Sequence, residues 1–175
     1  GTIAYCSSSC TITNAGSYVG GIVGYSNGAT IRSCNSSCTI NILSAETTKQ
    51  YIGGIGGRQD GGTIGGETSN KTEFSGSIKA EGFADFVGGI AGGCSGVMVV
   101  SDAVFSGSEI RGRDYVGGIV GQMLNTTLGS CSTTGGTISG RNYIGGIVGF
   151  ATSHVSSCTS HSDIQGSGYL GGIAG

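Results

Sequence analysis

The sequence predicts an all-β fold, a right-handed parallel β-solenoid with about three short strands per coil and one repeat of 26–35 residues per coil. Six copies of an aromatic–aliphatic–Gly–Gly–Ile core recur along the 175 residues, and two further short runs of β-type residues follow each complete core. Gly- and Ser-rich turns separate these runs, which is typical of strands. The 38 glycines argue against helices, where each costs about 1 kcal/mol relative to alanine. Stacking equivalent units on one another is the arrangement that buries such repeats.

The repeat units are defined by the positions of their cores. The chain is interpreted as a single repeat array over 1–175, with a partial unit at 1–17, units beginning near 18, 51, 86, 115 and 143, and a partial unit at 169–175. Both ends interrupt a unit, which predicts a segment of a longer protein or copies that stack end to end. Unpaired solenoid ends invite such edge pairing unless they are capped.

Two side-chain ladders are expected from the core. Because side chains alternate between the faces of a strand, the isoleucine that never varies is assigned to the interior. The other face varies between Val, Ala and Gly at its last position, and it is expected to be covered as well. The aromatic residues are expected to pack where the strand begins. The isoleucine ladder comprises Ile22, Ile55, Ile90, Ile119, Ile147 and Ile173, and the aromatic ladder comprises Tyr18, Tyr51, Phe86, Tyr115, Tyr143 and Tyr169.

The segment "YVGGIVGYSNGATIRSC", beginning at Tyr18, resembles the GLUG motif. GLUG is a short Gly-rich repeat of bacterial surface and secreted proteins, and it also occurs in the non-catalytic part of some immunoglobulin-A-cleaving metallopeptidases. The resemblance covers all six cores. It implies an exported, multi-repeat, β-rich stalk or adhesive region. The chain departs from the usual pattern in its longer second and third units and in its seven cysteines.

The cysteines suggest disulfides in an oxidising compartment. Two copies of a Cys-x3-Cys turn predict the pairs Cys6–Cys10 and Cys34–Cys38. The alternative is that these cysteines are small buried hydrophobic residues stacked in a ladder. Cys131 and Cys158 lie at equivalent places in consecutive units, so a bridge between those units is a further alternative. Cys94 has no counterpart and is expected to be a free or intermolecular thiol.

Composition and spacing argue against several other classes of site. Eight basic and ten acidic residues provide no footprint for nucleic acid, and the apolar runs are too short for membrane insertion. His154, Cys158 and His161 could form only part of a zinc site, so no metal or cofactor is expected. His161, Ser162 and Asp163 are the three residue types of a catalytic triad, but adjacent residues on a strand point to opposite faces and cannot converge on one site. We therefore expect no enzyme and no catalytic residue.

Two classes of function remain. The first is an extracellular structural or adhesive solenoid, secreted or at the cell surface, whose partners are other repeats, copies of itself, or host or cell-surface glycans and proteins. The second is a ligand-recognition module that binds ice or carbohydrate. Thr11 and Thr13 have the alternation of an ice-binding array, but Lys79 interrupts the equivalent positions. The first class is therefore favoured.

Overall fold

The computed structural model describes residues 1–13, 16–43, 50–80, 82 and 84–175. These residues form parallel sheets that stack as a β-solenoid of about six coils, with about 29 residues per coil. The predicted fold class is therefore confirmed. No helix in this part of the chain is long and apolar enough to cross a membrane.

The strands follow one another with short corners between them. The first three coils contain β1 (Thr2–Ala4), β2 (Ser7–Ser8), β3 (Thr11–Thr13), β4 (Tyr18–Gly20), β5 (Val23–Asn27), β6 (Thr30–Arg32), β7 (Asn35–Ser36), β8 (Thr39–Asn41), β9 (Tyr51–Gly53), β10 (Gly56–Gly65), β11 (Thr72–Phe74), β12 (Ser77–Lys79) and β13 (Phe86–Gly88). The last three contain β14 (Ala91–Ser101), β15 (Ala103–Phe105), β16 (Glu109–Arg111), β17 (Asp114–Gly117), β18 (Val120–Gly129), β19 (Ser132–Thr133), β20 (Thr137–Ser139), β21 (Asn142–Gly145), β22 (Val148–Ala151), β23 (Val155–Ser156), β24 (Thr159–Ser160), β25 (Asp163–Gln165) and β26 (Leu170–Gly171).

Each coil passes through four sheets, which is one strand more than the sequence suggested. Sheet I has the order β1-β6-β10-β14-β18-β22. Strand β5 also pairs with β10, and β23 also pairs with β18. Sheet II is β2-β7-β11-β15-β19-β24, sheet III is β3-β8-β12-β16-β20-β25, and sheet IV is β4-β9-β13-β17-β21-β26. Sheet II was missed because its strands are only two or three residues long and lie within the segment that the sequence suggested to be a turn.

Sheets I, III and IV each contribute an apolar ladder to the interior, as in sheet III, where Ile40, Ile78 and Ile110 are in register and fully buried. Sheet II is different, because Ser36, Phe74, Phe105 and Thr133 follow one another in register. Its two phenylalanine rings stack with centroids 5.9 Å apart in the middle of the array.

The Gly–Gly pair makes the corner between sheets IV and I, and this corrects the strand assignment. The seven-residue core was treated as a single strand, but β9 ends at Gly53 and β10 begins at Gly56. A Cβ on Gly53 would lie 2.0 Å from the Gly56 carbonyl oxygen, and one on Gly54 would lie 2.1 Å from the Phe74 ring across the interior. Only glycine allows both approaches. Alternation is interrupted at the corner, so both the aliphatic residue before it and the isoleucine after it face inward.

The expected isoleucine ladder lies inside the solenoid. Ile55, Ile90, Ile119 and Ile147 are fully buried. Ile22 is partly buried against the core, and Ile173, in the last coil, is 37% exposed. The aliphatic residues Ile52 and Val87, which were assigned to the opposite face, are also fully buried.

Candidate functional site

Six aromatic side chains form a ladder along the groove between sheets IV and I. Their ring centroids follow one another at 5.7, 4.5, 5.2, 5.0 and 4.8 Å from Tyr18 to Tyr169. The planes of successive rings are inclined by no more than 23°. Stacking at this spacing is expected, because strands of a parallel sheet repeat about every 4.8 Å.

The sequence shapes the groove by leaving glycine next to the rings. A Cβ on Gly93 would lie 2.5 Å from Cδ1 of Tyr51, so the ring occupies space that any larger residue would fill. Tyr51 and Phe86 are each 8% exposed, whereas Tyr18 and Tyr169 in the end coils are 47% and 63% exposed. Both faces of each inner ring are covered by neighbouring rings, which leaves only ring edges at the surface of the middle coils. Sugar binding by stacking needs an open ring face, so the ladder is better explained as packing.

Arg58 joins the aromatic ladder to a polar cluster. Its guanidinium lies 4.9 Å from the centroid of the Tyr51 ring, and its Nε donates to Asp60 Oδ1 at 2.9 Å. Ser95 and Tyr25 also donate to the Asp60 carboxylate, at 2.5 and 3.1 Å. Partial burial raises the pKa of Asp60, but these hydrogen bonds outweigh it and hold that pKa below its ordinary value. The charges are therefore satisfied within the cluster.

The outer face of sheet III is where an ordered threonine array was considered. Thr11, Thr39 and Ser77 are in register, as the repeat predicts, and the next position is Glu109. Glu109 forms ion pairs with Lys79 at 2.9 Å and Arg111 at 2.8 Å. The hydrogen bond from Lys79 is the main reason that the pKa of Glu109 is lowered. A charged cluster thus interrupts the face, and this geometry does not favour ice binding.

A groove of about 440 Å³ lies beside the corners between sheets III and IV. Gly112, Gly140 and Gly166 form part of its wall, and Arg113 and Arg141 line it. Arg113 pairs with Asp85 at 2.5 Å, and Arg141 pairs with Asp114 at 2.5 Å. Each of these arginines is neutralised by a carboxylate, so the described lining of the groove does not favour an anion site.

Six of the seven cysteines lie next to an equivalent cysteine in a neighbouring coil. All seven are free thiols in the structure, so the predicted pairs Cys6–Cys10 and Cys34–Cys38 stay a prediction. The predicted equivalence of Cys6, Cys34, Cys131 and Cys158 is visible in a shared hydrogen bond. Each thiol donates to the carbonyl oxygen two residues earlier, at 3.3, 3.3, 3.2 and 3.1 Å respectively.

Thiols of adjacent coils also influence the pKa values of one another. Interaction between the aligned Cys131 and Cys158 thiols raises the pKa of Cys131 and lowers that of Cys158 to about 7. Interaction with Cys38 raises the pKa of Cys10 in the same way. Cys94 is buried away from the other thiols that the structure describes, and burial raises its pKa to about 12. The repeat spacing contained the signal for these pairs, because it placed the cysteines in equivalent positions.

The residues considered for metal binding and catalysis lie near the last coil. Nδ1 of His161 lies 3.4 Å from the Thr133 carbonyl oxygen, and the His154 carbonyl oxygen accepts a hydrogen bond from the Leu128 amide. Within residues 1–13, 16–43, 50–80, 82 and 84–175, no three or more His, Cys, Asp or Glu side chains are grouped to hold a metal ion. No protein-family model, curated protein or solved structure matches this chain.

Proposed function

We propose that the chain is a non-catalytic structural and adhesive β-solenoid, a stalk or fibre segment of a surface or secreted protein. Its proposed partners are further repeats of the same protein or copies of itself. The observation that carries the proposal is that ladder residues buried in the middle coils are exposed in the last one. A further coil stacked on that face would continue each ladder.

The contrast in exposure is large. Ile173 is 37% exposed, whereas its equivalent Ile119 is fully buried. Leu170 is 47% exposed, whereas its equivalent Val87 is fully buried. Burying apolar surface contributes about 25 cal/mol per Å², so these side chains favour contact with another apolar face.

The backbone favours the same partner. Each of the four sheets has outer strands whose outward N–H and C=O groups can pair with another strand. All strand pairs within the sheets are parallel, so the groups on one end face match those that another coil presents. A second copy stacked head to tail therefore satisfies hydrogen bonds and apolar burial together.

An exported location is supported by sequence features. The resemblance of the cores to GLUG repeats implies surface and secreted proteins, and seven cysteines are compatible with an oxidising compartment. We therefore place the proposed stalk or fibre outside the cell. The coding sequence on both sides of this segment would reveal an export signal, an anchor or further repeats, and a cytosolic enzyme domain there would contradict the location.

Light scattering across a dilution series tests the association. We expect the average mass of the purified chain to rise with concentration, and the particles to lengthen without thickening in small-angle scattering. Leu170→Asp places a charge on the end face and should reduce the association. The matched control is Val97→Asp on the side of the solenoid, where Val97 is 95% exposed.

Two results would contradict the proposal. One is a stable monomer at all concentrations. The other is equal loss of association in the Leu170→Asp and Val97→Asp variants, which would indicate side-by-side aggregation and not end-to-end stacking.

A further inference from the structure

Three pairs of cysteines occupy the same position in adjacent coils. Ser7 pairs with Asn35, and the Asn35 amide donates to the Cys6 carbonyl oxygen at 2.9 Å, which aligns Cys6 with Cys34. Thr11 pairs with Thr39, and the Thr39 amide donates to the Cys10 carbonyl oxygen at 2.8 Å, which aligns Cys10 with Cys38.

The third pair lies at the other end of the array. Ser132 pairs with Thr159, whose amide donates to the Cys131 carbonyl oxygen at 3.1 Å. Cys131 and Cys158 precede these two residues and are therefore aligned. In the two coils between Cys34 and Cys131, the equivalent positions are occupied by Thr72 and Ala103. The two groups of cysteines are therefore separated by two coils.

The spacing of aligned residues fits a disulfide. Neighbouring strands lie about 4.8 Å apart, and bridged cysteines have Cα atoms about 4.4–6.8 Å apart. The side chains also converge, because the Ser8 hydroxyl oxygen lies 3.2 Å from the Cys38 sulfur and 3.7 Å from the Cys10 sulfur.

A bridge within one turn fits less well. Strand β2 lies between Cys6 and Cys10, and β7 lies between Cys34 and Cys38. An extended backbone advances about 3.3 Å per residue, so four residues span up to about 13 Å. Cα atoms more than about 7 Å apart cannot be bridged without moving the backbone.

We propose that Cys6–Cys34, Cys10–Cys38 and Cys131–Cys158 form disulfides between coils. Two of them join the first coil to the second, and the third joins the fifth to the sixth. Cys94 takes no part, because it is buried and the described positions paired with it in the adjacent coils are Gln59 and Met123, which are not thiols.

Thiol–disulfide exchange with a small disulfide such as oxidised glutathione accounts for the atoms and electrons. In each pair one thiol is more accessible, with Cys158 half-buried and Cys131 buried. The Cys158 thiolate attacks one sulfur of the oxidant, which gives a mixed disulfide and releases one thiolate. Cys131 loses its proton, attacks the Cys158 sulfur and releases the second thiolate. Two protein thiols are oxidised, and one small disulfide is reduced to two thiols.

The pKa of Cys158 suits this first step. Interaction with the aligned Cys131 thiol lowers it to about 7, so near neutral pH a large fraction of Cys158 is thiolate. Cys6 and Cys10 are the exposed members of the other two pairs, and their partners are buried. Each pair therefore has one thiol that the oxidant reaches and one that resolves the mixed disulfide.

Tryptic digestion tests the connectivity, because Arg32 separates Cys6 and Cys10 from Cys34 and Cys38. The folded chain is treated with oxidised glutathione, alkylated and digested without reductant. We expect peptide 1–32 to be linked to 33–49, and 114–141 to 142–175. Peptides 1–32 and 33–49 recovered separately, each lighter by two hydrogens, would overturn the proposal in favour of bridges within a turn. Full alkylation of all the thiols would overturn it as well.

Single variants resolve which cysteines pair. In Cys10→Ser we expect 1–32 to stay linked to 33–49, with the alkyl group on Cys38. An alkyl group on Cys34 in that variant would show a Cys6–Cys38 bridge and contradict the assignment. Cys94→Ser is the matched control, and it should leave every link unchanged.

Discussion

Tyr115 and Tyr143 stack one coil apart, with ring centroids 5.0 Å apart and ring planes inclined by only 7°. Both residues also have left-handed backbone conformations, with φ of 51° and 53°. A non-glycine residue in this region costs about 1–2 kcal/mol. The two stacked rings thus project from backbones that each carry this conformational cost.

Removing one ring from the stack should destabilise the solenoid. Tyr143 contacts Tyr115 on one side and Tyr169 on the other, and each stacked pair contributes about 0.5–1.5 kcal/mol beyond burial. We expect Tyr143→Ala to lower the free energy of unfolding by about 2–3 kcal/mol in urea. Tyr143→Phe keeps the ring and should change it by less than about 0.5 kcal/mol. Equal losses in the two variants would show that the hydroxyl, and not stacking, is responsible.

The isoleucine ladder gives a second prediction. Ile119, the fourth isoleucine of the ladder, is fully buried, so Ile119→Ala should lower the free energy of unfolding by about 2–5 kcal/mol. Val97→Ala is the control, because Val97 is 95% exposed. Urea denaturation measures both. A change below about 0.5 kcal/mol for Ile119→Ala, typical of a surface site, would contradict the interior assignment.

Acid should weaken the corner between sheets III and IV. Burial raises the pKa of Asp114, but hydrogen bonds from Arg141 and Asn142 outweigh it and lower that pKa below the ordinary value. A carboxylate whose pKa is lowered by folding stabilises the fold above its unfolded pKa of about 3.9, and this stabilisation is lost as pH falls through the folded value.

We therefore expect the melting temperature of Asp114→Asn to lie below that of the natural chain at pH 6. The difference should shrink as pH falls from about 5 to 2. Asp163→Asn, at an exposed position of sheet III, is the control and should follow the natural chain. A difference for Asp114→Asn that is constant with pH would contradict an electrostatic origin.

The corner between sheets I and II offers a stabilising substitution. Ser130 has φ of 53°, and Ser33 and Ser157 at the equivalent corners have φ of 51°. Glycine adopts this conformation without the penalty of about 1–2 kcal/mol, but it loses about 0.5–1 kcal/mol more in backbone entropy. Ser130→Gly should thus raise the free energy of unfolding by up to about 1 kcal/mol. Ser132→Gly, in strand β19, should lower it instead. A loss in both variants would refute the conformational argument.

The repeat allowed the fold class, the stacking of equivalent residues and the isoleucine ladder to be predicted from sequence. Ile40, Ile78 and Ile110 are in register because identical residues recur at one place in each unit. The corner at Gly53–Gly54 could not be predicted in this way, because the glycines meet a carbonyl oxygen and a phenylalanine ring that are distant in sequence. The sequence prediction therefore continued the alternation of inward and outward side chains across the end of one strand and the start of the next, a corner that only the tertiary contacts reveal.

The polar surface was still less predictable. Arg58, Asp60 and Ser95 come from two coils, and nothing in the repeat identifies them as partners. The cysteine positions were predicted to be equivalent, but the sequence alone favoured the partner four residues away. The aligned strands make the partner in the next coil the closer one.

The solenoid keeps its ladders aligned although its sequence units differ in length from 26 to 35 residues. In the longest unit, additional residues form a small antiparallel bridge between Glu67 and Asn70, at the corner between β10 and β11. An insertion at a corner therefore widens one coil and leaves the spacing between coils unchanged. Duplication of a whole unit instead adds about 4.8 Å to the length of the solenoid. The length of the solenoid and the loops on its sides can thus evolve independently in this molecule.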